Sequence, residues 1–192
     1  MDSTIETTST HSGALRGDIS NNRTKDKGEY RLFKIFEPTP ERITAVAKHL
    51  MENKYSMSDE YRDYDIIHGI LHKYLLSNNC IFYMIGDMDG VLGFTDIIPG
   101  WKAHAIFELF NPKIWGKQLV RESRKLFDSI MDEGKLVKIS SQTADIRVKR
   151  MAEMIGFTLE GLRVAEFSWD KELYNIFLLG RLRTNGDIEK EV

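Results

Sequence analysis

The chain has 192 residues, 27 Lys and Arg against 29 Asp and Glu, and an apolar share of 42%. The near-neutral balance gives no electrostatic argument for nucleic acid or an anionic membrane surface as partner, and the length suits one domain with a substantial core. Cys80 is the only cysteine, which excludes an intrachain disulfide and a cysteine metal cluster.

Residues 1–29 are rich in Ser, Thr, Asn and charge, and their few apolar residues are scattered. Such a segment buries too little surface to offset its ordering entropy, so a flexible polar tail is expected, with docking onto a protein partner as its sharper role. It has no apolar run of the signal-peptide kind, and nothing in the chain approaches the roughly 18 apolar residues of a membrane-spanning helix. A cytoplasmic location follows as the expectation.

Residues 30–36 alternate apolar and polar and read as a first strand. Thr39 and Pro40 then form a helix start, a capping hydroxyl followed by Pro at the first helical position. Ile43, Val46, Ala47, Leu50 and Met51 follow on one helical face. Ser58, Asp59 and Glu60 are expected to open a second helix, whose apolar face runs through Tyr61, Tyr64, Ile67, Ile70, Leu71 and Tyr74. The period then changes. Residues 80–86 and 91–98 read as a hairpin around an Asp/Gly turn, and residues 101–110 as a further strand. Cys80 falls in the apolar run and reads as a buried thiol.

The stretch FNPKIWGKQLV, residues 110–120, joins that strand to a long amphipathic segment over 116–133 that Gly134 stops. Gly116 there is either the turn that cradles a diphosphate or simply the start of a helix. Residues 136–142 read as a short strand, and Thr143 is expected to cap a helix through Ile155 that Gly156 ends. Residues 157–170 and 173–183 read as two strands meeting near Asp170 and Lys171. A polar tail closes the chain at 183–192. The order β-α-α-β-β-β-α-β-α-β-β describes a mixed α/β domain over 30–182. A three-strand meander forbids a doubly wound parallel sheet, while the later β-α-β unit requires parallel neighbours.

That order, together with IFELFNPKIWGKQLVRES and TADIRVKRMAEMIGFTLEGL, resembles the GCN5-related N-acetyltransferase superfamily over residues 30–182. The second stretch carries the family's helix followed by Gly-Phe, here Gly156 and Phe157, with Asp145 where the family has Asn. The resemblance implies a central, mostly antiparallel sheet with flanking helices. Its parallel fourth and fifth strands splay apart and admit acetyl-CoA. It further implies that the loop after the fourth strand offers backbone N–H groups to the diphosphate, aided by the helix dipole. The family pattern there is Gln/Arg-x-x-Gly-x-Gly/Ala, and this chain reads Lys113, Ile114, Trp115, Gly116, Lys117, Gln118. The basic first residue and central Gly are kept in type. Gln118 departs from the small last residue, and its side chain either crowds a diphosphate or donates to it. Phe110, the loop through Gln118, and Asp145 are the implied coenzyme contacts, with Arg121 adding positive charge.

An amine must lose its proton before it attacks a thioester, and in the family a carboxylate on or near the fourth strand often serves as base. Glu108 is the candidate, and apolar neighbours would raise its pKa. The alternative is a Glu on a solvent-facing strand. His104 shares the alternation of Glu108. The family's acid Tyr has no counterpart near Ala152, and Tyr174 on a later strand either approaches the site or packs in the core. His68 and His72, at i and i+4, read as helix surface because nothing near them completes a metal site. Arg147, Lys149 and Arg150 with Lys135 and Lys138 form a basic cluster without the interleaved aromatics of a nucleic-acid surface. Two functions are expected from this pattern. One is acetyl transfer from acetyl-CoA to a small-molecule or protein amine. The other is a non-catalytic bacteriophage protein on the same fold, in the host cytoplasm or the virion, with a vestigial cleft.

Overall fold

The structure, a computed structural model, describes residues 30–183. The expected tail at 1–29 lies outside them, as do residues 184–192; Arg183 lies within and donates its backbone N–H to the Val137 carbonyl at 2.9 Å. Seven strands and four helices follow the expected order: β1 (Phe33–Ile35), α1 (Pro40–Glu52), α2 (Tyr64–Leu75), β2 (Ile81–Ile85), β3 (Gly90–Ile98), β4 (Lys102–Leu109), α3 (Lys117–Glu133), β5 (Lys138–Thr143), α4 (Ile146–Met154), β6 (Thr158–Trp169) and β7 (Glu172–Leu182). The sheet order is β1-β2-β3-β4-β5-β7-β6. The β4–β5 pair is parallel and every other pair is antiparallel.

Two buried clusters cover the two faces of this sheet. On one face α3 and α4 pack Leu119, Leu126, Phe127, Met151 and Ile155 against Leu92, Phe94 and Ile139. Phe127 meets Phe94 edge-on at 5.0 Å and Phe157 at 5.3 Å. On the other face α1 and α2 pack Ile43, Val46, Leu50, Ile67 and Leu71 against Phe82, Met84 and Val91. Cys80 is buried with them, as its apolar setting suggested.

Several boundaries differ from the sequence reading, each for a local reason. The first strand is shorter, because only Phe33–Ile35 pairs with β2. The second helix does not open at Ser58. Asp59–Tyr61 forms a separate 3-10 turn, and Asp63 caps α2, accepting from the N–H groups of Asp65 and Ile66. Ser58 and Asp59 are engaged elsewhere: the Ser58 hydroxyl lies 2.9 Å from that of Ser168, and Asp59 accepts from the backbone N–H of Asp170 and Lys171 at 3.1 and 3.0 Å. Asp170 and Lys171, both at positive φ, make the β6–β7 turn. Thr143 remains in β5, and the cap of α4 is Asp145. Gly134 closes α3 in a right-handed conformation, leaving the left-handed position to Lys135 at φ 49°.

Candidate active site

Strands β4 and β5 are paired only at one end, from Lys102 opposite Lys138 to Ala105 opposite Ser141. Beyond that point each keeps its outer neighbour. Ile106 to Leu109 continue against Gly93 to Gly90 of β3, while Gln142 and Thr143 continue against Leu178 and Phe177 of β7. The inner edges therefore part. At the fork the Ser141 hydroxyl donates to the Ala105 carbonyl at 2.9 Å, a side chain standing in for the next strand-to-strand bond. Unpaired strand edges carry strong donors and acceptors that a ligand can meet.

Glu108 stands in this fork. It lines both a cavity of about 350 Å³ under α1 and α2 and a smaller one of about 100 Å³ bounded by Trp115, Asp145 and Arg147. The alternation of β4 puts Glu108 and His104 on one side, as the sequence spacing suggested; that side faces α1 and α2, while Leu109 turns into the α3 core. Burial pushes the Glu108 carboxyl up to about 7, against the hydrogen bond from Ser56 and with a smaller upward push from the Asp145 carboxylate. Glu108 is half-buried and lines these cavities.

Ser56 was not visible in the sequence as a site residue. It lies in the loop after α1, next to Tyr55 at φ 72°, and its hydroxyl donates to Glu108 Oε2 at 2.5 Å. Asn53, the C-cap of α1, donates from Nδ2 to the Ser56 Oγ at 3.0 Å. No spacing or motif in NKYS announces this chain of donors. His104 is held otherwise, with Nδ1 at 3.2 Å from Ser140 Oγ, and burial lowers its pKa against the pull of Asp96.

The loop after β4 is anchored from below. Phe110 and Asn111 both donate their N–H to the Asp89 carbonyl, and Asn111 Nδ2 donates to the Asp89 carboxylate at 2.7 Å. Phe110 stacks on His49 at 4.5 Å. Pro112–Ile114 then makes a 3-10 turn in which Lys113 is exposed, and Gly116 is the N-cap of α3. No side chain caps this helix, and its first turn has no acid. A Cβ placed on Gly116 would meet nothing within 4 Å. Gln118 turns away from the loop: its Nε2 donates to Glu122 Oε1 at 2.9 Å, and Glu122 Oε2 accepts the N–H of Leu32 at 2.8 Å. Trp115, Gly116, Lys117, Val120 and Arg121 face Met151 and Met154 across an open groove of about 570 Å³.

No family model matches the chain, and no curated protein matches it. Solved structures do. A spermidine N-acetyltransferase from Vibrio cholerae, in complex with CoA and spermine, is 17% identical with a TM-score of 0.59, covering 79% of this chain and 95% of its own. A RimL ribosomal L7/L12 alpha-N-protein acetyltransferase in complex with CoA is 15% identical with a TM-score of 0.61, covering 81% and 96%. The microcin C7 self immunity acetyltransferase MccE, in complex with acetyl-CoA and AMP, is 15% identical with a TM-score of 0.59, covering 80% and 93%. The fold is that of the GCN5-related N-acetyltransferases.

Within this acetyltransferase fold the other sequence candidates separate. Asp145 caps α4 through the Arg147 N–H at 2.8 Å and pairs with the Arg147 guanidinium at 2.6 Å, so its carboxylate serves its own helix. Tyr174 lines neither Glu108 cavity. It meets Tyr55 edge-on at 5.0 Å, lies under Lys54, and donates to Glu172, a bond that raises its pKa. His68 stacks beside Tyr64 on α2, and the described residues contain no grouping fit for a metal. The basic cluster is largely matched by acids, Lys138 with Glu160 and Lys149 with Glu153. Among the described residues no helix is long and apolar enough to cross a membrane.

Proposed function

We propose that the protein transfers an acetyl group from acetyl-CoA to an amine, with Glu108 as the base. One observation carries this reading: Glu108 stands where β4 and β5 part and lines two cavities. The residues around α3 fit the coenzyme. Its free N–H groups at Lys117 and Gln118 suit a diphosphate, Lys113, Lys117 and Arg121 add charge, and Gly116 leaves the approach open. Bound there, acetyl-CoA supplies an activated acetyl thioester. The chain's own part is to hold the amine and relieve it of a proton. Glu108, ionised above about pH 7, accepts that proton directly or through one water. Asn53 and Ser56 hold the carboxylate in place. Positioning supplies much of the rate, so no dedicated acid is assigned.

The non-catalytic bacteriophage reading expects a vestigial cleft. The strands are parted and Gln118 is bonded to Glu122, so the described residues lend that reading no support.

A melting curve with acetyl-CoA tests the proposal. At a hundredfold excess over Kd the ligand should stabilise the fold by about 2.7 kcal/mol. A melting temperature unmoved by millimolar acetyl-CoA would overturn it.

A further inference from the structure

The cavity under α1 and α2 has a composition that bears on the acceptor. Its wall on the helix side and along β2 and β3 is Val46, Leu50, Ile67, Leu71, Phe82 and Val91, all buried and all apolar, while His104, Ser141, Gln142 and Thr143 line it from β4 and β5. Gly93 shapes its floor: a Cβ there would lie 2.3 Å from the Phe82 ring, so only Gly lets that ring lie against the sheet. Glu108 also lines the cavity. Asp96, the other carboxylate on the lining, is exposed and accepts from the Thr95 hydroxyl at 3.4 Å. An apolar cavity of about 150 Å³ already takes up a benzene ring. This one, at about 350 Å³, has room for a ring and a short side chain.

Met57 and Phe167 line the cavity, and the loop and hairpin that carry them are joined beside it. The 53–63 loop and the β6–β7 hairpin are bonded edge to edge through Ser58 with Ser168 and Asp59 with Asp170 and Lys171, and Arg62 lies 4.4 Å over the Trp169 ring. A polypeptide cannot pass between elements joined at hydrogen-bond distance.

We propose that the acceptor is a small primary amine with one cationic group and an apolar, ring-sized body, its nitrogen at Glu108 and its body between Leu50, Leu71 and Phe82. This rests on the acetyltransferase reading for the fate of the amine, but not for its binding. A polyamine laid along this apolar wall would set its inner ammonium groups among aliphatic side chains.

Calorimetric titration of the full chain at pH 8, without coenzyme, tests this with phenethylamine, spermidine and a hexapeptide with an N-terminal Leu. Phenethylamine should bind at least tenfold more tightly than the other two. Ile70, half-buried on α2 and on the cavity wall, gives the variants. Ile70→Trp should fill the cavity and weaken phenethylamine at least tenfold, while Ile70→Ala, which only enlarges it, should retain binding; circular dichroism checks that both fold. Tighter binding of spermidine or peptide, or an undiminished Ile70→Trp, overturns the proposal. Phenethylamine binding in a protein that ignores acetyl-CoA would support this cavity while removing the transferase reading, so the two failures are distinguishable.

Discussion

Ser56 donates its hydroxyl to Glu108 Oε2 at 2.5 Å across the gap between the loop after α1 and the open end of β4. The bond favours the ionised carboxyl, whereas burial and the Asp145 carboxylate oppose it. The balance leaves Glu108 near 7, where a base can both accept a proton and be ionised often enough to do so.

The base form is the carboxylate, so kcat/KM should rise with pH through a midpoint near 7. Ser56→Ala removes the favouring bond and should move that midpoint up. Asp145→Asn removes the opposing charge, keeps a capping side chain, and should move it down. Glu108→Gln should lower turnover about a hundredfold or more and leave coenzyme affinity unchanged. Shifts of the two midpoints in the same direction would contradict the assignment of these neighbours.

The same group links stability to pH. Glu108 is protonated in the folded state up to about 7 but only to about 4.5 when unfolded. Between those values the folded state binds more protons, so stability falls as pH rises through that window, by up to about 3 kcal/mol. Glu108→Gln cannot ionise. Urea titrations should show the variant gaining on the parent from pH 5 to pH 8, with no such trend below pH 4.

Gly116→Val separates the fold from the ligand. The position is extended and a side chain there meets no neighbour, so the variant should fold with a loss of no more than about 1 kcal/mol, or about 2–4 °C in Tm. Its branched side chain stands in front of the free N–H groups of α3. The coenzyme-dependent rise in Tm should vanish, and an unchanged rise would take this loop out of the site.

Glu122 is buried and joins Gln118 to the backbone of Leu32 ahead of β1. Glu122→Ala strands the Leu32 N–H and should cost about 1–3 kcal/mol in chemical denaturation. Gln118→Ala removes only a side-chain bond one helical turn away and should cost less than about 1 kcal/mol while coenzyme affinity is kept. Lost affinity in Gln118→Ala would mean that the amide itself contacts the ligand.

Much of the candidate site was legible because it depends on residue type at a local spacing. Gly116 before an amphipathic helix, the acid within an apolar strand, and the basic residues about the turn all lie within a short stretch of chain. Ser56 and Asn53 were not legible, since they lie 52 and 56 residues from the β4 atoms they meet, and a loop carries no period. Thr143 misled as a cap for a related reason: its hydroxyl does accept an N–H, but that of Asp145, and Asp145 takes over the helix.

The sequence by itself determined the order of strands and helices, the apolar faces of the helices and the place of the glycine turn, because periodicity and capping act over a few residues. Only the tertiary structure decided that β4 and β5 part after Ala105, that Gln118 turns to Glu122, and that Glu108 comes to lie beside Ser56. Those outcomes depend on which strands become neighbours and on how much water a packed layer removes. Both are set by contacts between residues far apart along the chain.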